Sequence, residues 1–227
     1  MQNNVTVVIL CGGKGERLRP LTEKTPKPLV HINGRPILSY MLDHIIKFNI
    51  SNVVIAVGYE SDKIRNFFHD EYTSLNVTIV DSGDVDIIER IKACSDFIED
   101  EFILLYGDTL ANVDYNELQE YHYSHSLNAT LTLYPLKSQF GLVELDKDSN
   151  VTNFQEKPTL DKWINIGGFY YDNTMLTKMK EYTSYAEFLE DMGMAKLIKG
   201  YKHLGIHITV NTLHELDEAK KNIHLFE

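Results

Sequence analysis

The sequence predicts an α/β fold: a mostly parallel sheet flanked by helices, with a small antiparallel portion following it. Three observations carry this. The apolar runs of the first half are short, rich in β-branched residues and separated by helix-length amphipathic stretches, the alternation expected of strands buried beneath helices on both sheet faces. From Ala129 the texture changes to Thr- and Val-rich segments broken by Gly, Pro and the polar run Asp146-Lys147-Asp148-Ser149-Asn150, which suits antiparallel pairing. A chain of 227 residues, 43% hydrophobic and 24% charged, can bury roughly 70% of its unfolded surface, enough for such a core without metal or disulfide staples.

In chain order, Val5 to Leu10 reads as a buried strand, Ile37 to Phe48 as a helix entered through Pro36, and Asn52 to Val57 as the next buried strand. Ser61 to Asp70 has helical spacing through Ile64, Phe67 and Phe68, Val77 to Val80 is a short strand, and Ile87 to Phe97 is a second amphipathic helix. Phe102 to Tyr106 is a strand running straight into Gly107-Asp108, and Tyr115 to His125 is a further helix. Antiparallel strands are expected through Phe154 and again at Gly168 to Tyr171, followed by a helix-rich end in which Leu213 to Asn222 has helical character. No repeat, low-complexity tract or Gly/Ser linker interrupts the chain, so residues 1–227 are expected to form a single domain.

Thirty-three acidic side chains against 22 basic ones give a net charge of -11, which argues against nucleic acid or an anionic membrane as a partner but leaves room for a local phosphate site. The apolar run Val5 to Leu10 is too short to span a bilayer and lacks the basic flank of a signal peptide, so the expected location is the cytoplasm. Cys11 and Cys94 read as reduced thiols rather than a framework. The four Asn-x-Thr triplets starting at Asn4, Asn76, Asn128 and Asn150 read as chance occurrences.

The first strand empties into Cys11-Gly12-Gly13-Lys14-Gly15-Glu16-Arg17-Leu18-Arg19. Three glycines let backbone amides approach a ligand and the cations add charge, which makes a phosphate cradle. Leu18 stands where a dinucleotide fingerprint needs its third glycine, and no Gly-Lys-Ser/Thr closes a Walker loop. The glycines alone fit a plain turn equally well; the cations tip the reading toward phosphate. Downstream, Thr25-Pro26-Lys27-Pro28-Leu29 holds Lys27 in a stiffened segment. Cys11 has no evident base partner and reads as a packing residue. The pairs His122/His125 and His203/His207 have spacings that could share a helix face, lack further ligands, and are expected at the surface.

The run from Leu10 through Gly12, Gly13, Lys14, Gly15, Arg17 and Lys27 to Leu29 resembles the signature of the nucleoside-triphosphate transferases that build sugar nucleotides. The resemblance continues through Asn33-Gly34-Arg35-Pro36-Ile37, Tyr106-Gly107-Asp108, Phe154-Gln155-Glu156-Lys157-Pro158, Asn165-Ile166-Gly167-Gly168-Phe169 and Val210-Asn211-Thr212, and so covers nearly the whole chain. Val80-Asp81-Ser82-Gly83 with Arg90-Ile91 and Tyr106-Gly107-Asp108 is most similar to the glucose-1-phosphate cytidylyltransferase branch. The resemblance implies a Rossmann-like, GT-A-like nucleotidyltransferase sheet and an Mg²⁺-dependent reaction in which an acceptor phosphate oxygen attacks the α-phosphorus of CTP and pyrophosphate leaves. Such chemistry needs positioning and charge neutralisation rather than a protein nucleophile.

Carried over position by position, the resemblance makes Arg17, Lys27 and Asp108 catalytic. It gives the nucleotide to Leu10, Gly12, Gly13, Lys14, Gly15, Arg17, Ser82 and Gly83, the acceptor to Glu156, Lys157, Asn165, Gly167 and Gly168, and the metal to Asp108 and Asn211. Bland readings stand beside these: a turn cap for Asp108, a helix N-cap for Asn211 and a solvated pair for Glu156-Lys157. Two departures bear on the site. Glu16 replaces the usual Thr and puts a negative charge near a triphosphate path. The stretch from Asp172 to Tyr201 is short for the family, so the acceptor is a sugar 1-phosphate or another small phosphorylated metabolite. The expected role is precursor synthesis for a capsule or lipopolysaccharide; another base, and a nucleotide-binding protein without turnover, are the alternatives. Self-association is left open.

Overall fold

The computed structural model describes residues 5–68 and 72–226. β1 (Thr6–Leu10) leads through the glycine-rich loop and three short 3₁₀ turns to the small β2 (His31–Ile32) and β3 (Arg35–Pro36) and then to α1 (Ile37–Lys47). β4 (Asn52–Val57), α2 (Ser61–Phe67), β5 (Asn76–Asp81), α3 (Ile87–Ala93) and β6 (Glu101–Tyr106) complete the parallel half. β7 (Thr109–Ala111), α4 (Tyr115–Tyr123), β8 (Ala129–Lys137), β9 (Leu142–Leu145), β10 (Val151–Gln155) and β11 (Thr159–Asp172) follow. The chain then runs through α5 (Thr174–Met179), α6 (Tyr185–Met194), β12 (Lys199–Lys202), β13 (His207–Thr209) and α7 (Leu213–Asn222).

Seven strands form one sheet in the order β12-β8-β11-β6-β1-β4-β5, in which only β11 runs against its neighbours. Strand alternation sends side chains to opposite faces. Val7 and Ile9 of β1 join Val53, Ile55 and Ile103 under α1, α4 and α7, whereas Val8 joins Val54, Phe102 and Leu104 under α3, α5 and α6. Burial on both faces explains why these strands read as continuous apolar runs rather than alternating ones. In register, Leu10 lies opposite both Ala56 and Tyr106, so β1, β4 and β6 end together and open one crevice at their carboxyl ends, where open α/β sheets place ligands.

Several boundaries differ from the sequence expectation for identifiable reasons. The helix from Ile87 breaks after Ala93 and resumes as a 3₁₀ turn at Ser95–Phe97. α2 ends at Phe67; positions 69 and 70 of its expected span, like Asn4 of the first Asn-x-Thr triplet, lie outside the described residues. β11 is 14 residues long, far beyond Gly168 to Tyr171, because its polar first half is carried by pairing with β8. Its register slips between Asn165 and Phe169, and Gly167 at φ 73 sits inside that bulge. No described helix is long and apolar enough to cross a membrane.

Candidate active site

The crevice is built from four loops. Beyond β1 the backbone stays pinned by Cys11 N–H to the Ala56 carbonyl at 2.8 Å, while Gly107 N–H reaches the Leu10 carbonyl at 3.1 Å. Gly15 adopts φ 61, and a Cβ there would lie 3.2 Å from the Lys27 Cβ, so only glycine lets the loop fold down beside the Lys27 stem. Thr22 Oγ1 fastens that fold by donating to the Gly15 carbonyl at 2.7 Å. Pro26 caps and Pro28 sits within a 3₁₀ turn, Lys27–Leu29, that carries Lys27 inward, where it is 9% exposed.

There Lys27 Nζ donates to Asp108 Oδ2 at 2.5 Å and to Asn211 Oδ1 at 2.7 Å. Arg17 donates to the same Asn211 oxygen at 3.1 Å. Asp108 follows β6 directly, and its backbone carbonyl accepts from Val210 N–H at 3.1 Å, tying it to the segment that delivers Asn211. Asn211 does not cap α7. Thr212 is the N-cap, in a reciprocal capping box with Glu215. Glu215 Oε2 accepts from the Asn211 and Thr212 backbone amides at 2.6 and 3.0 Å, and Asn211 Nδ2 donates to Thr209 Oγ1 at 2.6 Å, which turns the Asn211 carbonyl toward Lys27.

Above this centre lies a cavity of about 210 Å³ lined by Leu10, Gly12, Gly13, Arg90 and Tyr106. It adjoins an open cleft of about 430 Å³ lined by Lys14, Gly15, Glu16, Arg17 and Asn211, with Gly13, Lys27 and Asp108 bordering both. Lys14 spans the mouth to Asp84 at 2.5 Å, a hydrogen bond that raises the pKa of its ammonium group. Glu16 leans to Arg19 at 3.7 Å with both side chains more than half exposed, so its charge faces water and the pair contributes little. Val85, Ile87 and Arg90 form the opposite wall of the cavity; the expected nucleotide residues Ser82 and Gly83 are not among its lining and lie behind it, where Ser82 Oγ and the Gly83 carbonyl accept from Arg90 at 3.1 and 3.0 Å. Arg90 itself, 5% exposed, is a residue of the wall whose burial its sequence context did not announce.

Asp108 Oδ2 and Asn211 Oδ1 converge on one ammonium nitrogen, so two oxygen donors, one anionic and one neutral, already surround a cation. That donor set fits a hard divalent ion that keeps several waters. Cys11 is 1% exposed and burial pushes its thiol upward, out of the range of a nucleophile. The expected acceptor residues lie further along. Asn165 Oδ1 accepts from Gly167 N–H at 2.7 Å, and its side chain is also hydrogen-bonded to Tyr106, whose phenol burial pushes up to about 12. Glu156 and Lys157 sit exposed between β10 and β11. Among the described residues no hydrogen bond or ion pair joins them to the Lys27 centre.

Two histidines expected at the surface are buried: His122 is 3% exposed and His203 7%. Nor do His203 and His207 share a helix face: His203 follows β12 and His207 opens β13. Glu101, His122 and Asp172 place ligand-type atoms within 4.8 Å of one another at the amino end of β6, roughly 20 Å of strand from Asp108. Hydrogen bonding assigns the protons there without an ion. Leu127 N–H fills His125 Nδ1, so His125 Nε2 donates to Thr130 Oγ1 at 3.0 Å, Thr130 donates to His122 Nδ1 at 2.8 Å, and His122 Nε2 donates to Asp172 at 3.0 Å. Glu101 Oε2 accepts from the Tyr123 and Tyr170 hydroxyls at 2.6 and 2.7 Å. The set is a satisfied structural network.

A glycine-rich loop, an inward lysine and an acidic residue at the carboxyl end of a parallel strand define a class of phosphate-handling enzyme, and the sequence comparison agrees: residues 6–210 match the nucleotidyl transferase family. The chain belongs to that family. It is 32% identical over 200 residues to the bifunctional protein GlmU of Methanocaldococcus jannaschii, covering 87% of this chain but only 46% of that protein. It is 32% identical to a probable glucose-1-phosphate cytidylyltransferase of Bacillus subtilis, over 94% of both chains. It is 29% identical to the D-glycero-alpha-D-manno-heptose 1-phosphate guanylyltransferase of Campylobacter jejuni, over 81% of this chain and 84% of that one. Among solved structures, a putative glucose-1-phosphate thymidylyltransferase from Bacillus anthracis superposes with a TM-score of 0.77 at 19% identity, covering 96% of this chain and 94% of the other. HddC from Yersinia pseudotuberculosis complexed with GMP-PN gives 0.75 at 21%, covering 96% and 99%. These two likenesses establish the fold.

Proposed function

We propose that this nucleotidyltransferase moves a nucleoside monophosphate, CMP from CTP, onto a sugar 1-phosphate or a similarly small phosphorylated acceptor and releases pyrophosphate. The observation that carries the reading is the convergence of Lys27, Arg17, Asp108 and Asn211 beneath a glycine-rich loop in one crevice. The similarity to a probable glucose-1-phosphate cytidylyltransferase along almost its full length favours CTP and a sugar phosphate.

In this mechanism the amides of Gly12, Gly13 and Gly15 and the cations Lys14 and Arg17 hold the triphosphate. Lys27 leaves its partners to meet charge developing at the α-phosphorus, where a preorganised cation lowers the barrier. Asp108 and Asn211 would hold Mg²⁺, which when bound neutralises phosphate charge and polarises its oxygens. Lys157 takes the acceptor phosphate, Asn165 and Glu156 read the groups beyond it, and the Gly167-Gly168 bulge shapes the floor. Ser82 and Gly83 back the wall that faces the base. The product would supply a surface glycan from a cytoplasmic enzyme.

A second reading, GTP as donor, rests on the 29% identity to the Campylobacter guanylyltransferase. Pyrophosphate release from CTP, UTP, dTTP and GTP, each with several sugar 1-phosphates and one phosphorylated non-sugar, decides between them. A ligand at 100 times its dissociation constant also raises stability by about 2.7 kcal/mol, so thermal shifts report binding separately. No release and no shift with any triphosphate would overturn the assignment.

A further inference from the structure

Along β8 the side chains of Thr130 and Thr132 point to the same face of the sheet, and both are buried, 0% and 1% exposed. Their hydroxyls differ in what they meet. Thr130 Oγ1 is bonded to His122 and His125, whereas among the described residues no protein group hydrogen-bonds Thr132 Oγ1. A hydroxyl taken out of water and left without a partner opposes folding. Proteins satisfy such groups with trapped water where the chain itself offers nothing.

Thr132 faces the slip in β11. Asn165 pairs with Leu133 and Phe169 with Leu131, so residues 166–168 stand against Thr132 alone. Ile166 and Gly167 pair with neither β8 nor β6, which leaves their peptide groups off both ladders. On the crevice side the bulge is held. Asn165 Oδ1 accepts from Gly167 N–H at 2.7 Å, and the Tyr106 ring lies where a Gly167 Cβ would fall. On the core side the bulge faces Thr132, and a Cβ on Gly168 would sit 3.2 Å from Thr132 Oγ1. A cavity of about 30 Å³ lies there, lined by Thr132, Gly167 and Gly168 with Met41, His44 and Thr109. Two of its other polar groups are already engaged: Thr109 Oγ1 donates to Asp108 Oδ1 at 3.1 Å, and His44 Nε2 is bonded to the Val113 carbonyl at 2.9 Å. A water needs roughly 10–15 Å³ of such space and two or more polar partners, so the cavity is sized for water and not for a larger ligand.

We infer that this cavity is a water-binding site: a trapped water accepts from the Thr132 hydroxyl and donates to carbonyls of the 166–168 bulge, which makes Thr132 the positioning residue of the acceptor floor. Gly167-Gly168 then rests between two supports, Tyr106 on the crevice side and a hydrated threonine on the core side. The positioning role rests on the reading of Asn165 and Gly167-Gly168 as the acceptor site; the water site does not.

The test uses wild type, Thr132→Val, which keeps the branched shape and removes the hydroxyl, and Thr132→Ser, which keeps the hydroxyl. High-resolution diffraction from ligand-free crystals should show a solvent peak about 2.8 Å from Thr132 Oγ1, in contact with a bulge carbonyl and lost in Thr132→Val. The melting temperature of Thr132→Val should fall by about 2–4 °C. A hydroxyl with no partner predicts the opposite sign, because a methyl in its place would remove a cost. In pyrophosphate release with the preferred triphosphate, Thr132→Val should raise the acceptor KM roughly fivefold through a shifted floor and leave the nucleotide KM as in wild type. Thr132→Ser should restore the solvent peak and the acceptor KM. A dry cavity in wild type, or a Thr132→Val variant that melts higher, would overturn the water site. A wild-type peak with an acceptor KM that Thr132→Val leaves unmoved would overturn the positioning role, since a purely structural water changes the melting temperature alone. Wild type that releases no pyrophosphate with any phosphorylated acceptor would sink the acceptor reading and the positioning role with it, while diffraction and melting still decide the water site.

Discussion

Replacing Lys27 with Met keeps the aliphatic stem that packs beside Gly15 and removes only the ammonium group. That group holds Asp108 Oδ2 at 2.5 Å and Asn211 Oδ1 at 2.7 Å, with the Lys27 and Asp108 side chains 11% and 29% exposed. Losing a charge-assisted hydrogen bond costs about 1.5–3 kcal/mol, and water reaching the Asp108 carboxylate recovers part of it. A net loss of about 2 kcal/mol is expected, or roughly 4–8 °C in melting temperature for a chain of this length. Turnover should fall much further, ~10²-fold or more, because a preorganised cation is removed from the reacting phosphate. Nucleotide affinity, which Arg17, Lys14 and the loop amides share, should change less. The assays are thermal unfolding, single-turnover pyrophosphate release at a temperature where the variant is folded, and calorimetric nucleotide binding. A variant that loses stability as expected but turns over at the wild-type rate would show Lys27 to be only a brace for Asp108. Lys27→Arg should not restore the rate, because a planar guanidinium does not fit the confined place of a compact ammonium.

Glu215→Ala removes the carboxylate that accepts from both Asn211 and Thr212; loss of the capping box should cost ~1 kcal/mol, and turnover should drop although Glu215 touches no proposed ligand, which paired melting and rate measurements would check. Gly167→Ala should lower stability by more than about 1 kcal/mol, since the residue sits at φ 73 and its new Cβ would fall on the Tyr106 ring; chemical denaturation reads this directly, and a neutral result would mean the bulge is soft. Acid should weaken the fold before any carboxylate titrates. Burial pushes His207 down to about 4, His203 adding to the effect and Glu215 opposing it, so the unfolded chain, with its ordinary histidine near 6.5, takes up the proton first. Stability is therefore intact above about pH 6.5 and declines progressively toward pH 4, with His203 and His44 displaced in the same direction by burial. Denaturant midpoints at pH 7.5, 6 and 5 should show this decline, and His207→Gln should make it shallower.

The parts of the fold that could be read from residues are those in which one force dominates. Thr6–Leu10, Asn52–Val57 and Glu101–Tyr106 are buried on both faces, so their apolar continuity is a direct imprint of the sheet. Leu213–Asn222 follows its capping signal and matches the expected helix. Lys199–Lys202 is Lys-Gly-Tyr-Lys, with no apolar alternation, and is a strand only because β8 offers it an edge. Residues 159–164 likewise take their strand from β8 rather than from propensity. At the site, Arg17, Lys27 and Asp108 were visible through motif and order. The Asn211 support was present as Thr212-Leu213-His214-Glu215, a capping box whose cap is the threonine rather than the asparagine. Arg90 was legible only as part of the branch resemblance and its burial was not, since an arginine among Ile87, Ile88 and Ile91 reads as the polar edge of an amphipathic helix until its acceptors are known.

Lys27 and Asn211 meet across 184 residues of chain, whereas β6, β1, β4 and β5 need nothing beyond Tyr106 to pair with one another. On a ribosome adding about 5–20 residues per second, that half-sheet emerges well ahead of Asn211, and Asp108 precedes Asn211 by roughly 5–20 s at the same rate. During that interval a nascent molecule has Arg17, Lys27 and Asp108, three of the four members of the centre, and lacks only Asn211, the acceptor shared by Arg17 and Lys27. Closure of the centre is in this sense a timed property: it waits for the segment that pairs β13 with β7 and carries the Asn211 carbonyl to Arg17 and Lys27. A chain interrupted before that step also lacks Leu216, Ala219, Ile223 and Phe226, which close the core over β1 and β4, so completion of this core face and of the Lys27 centre arrive together.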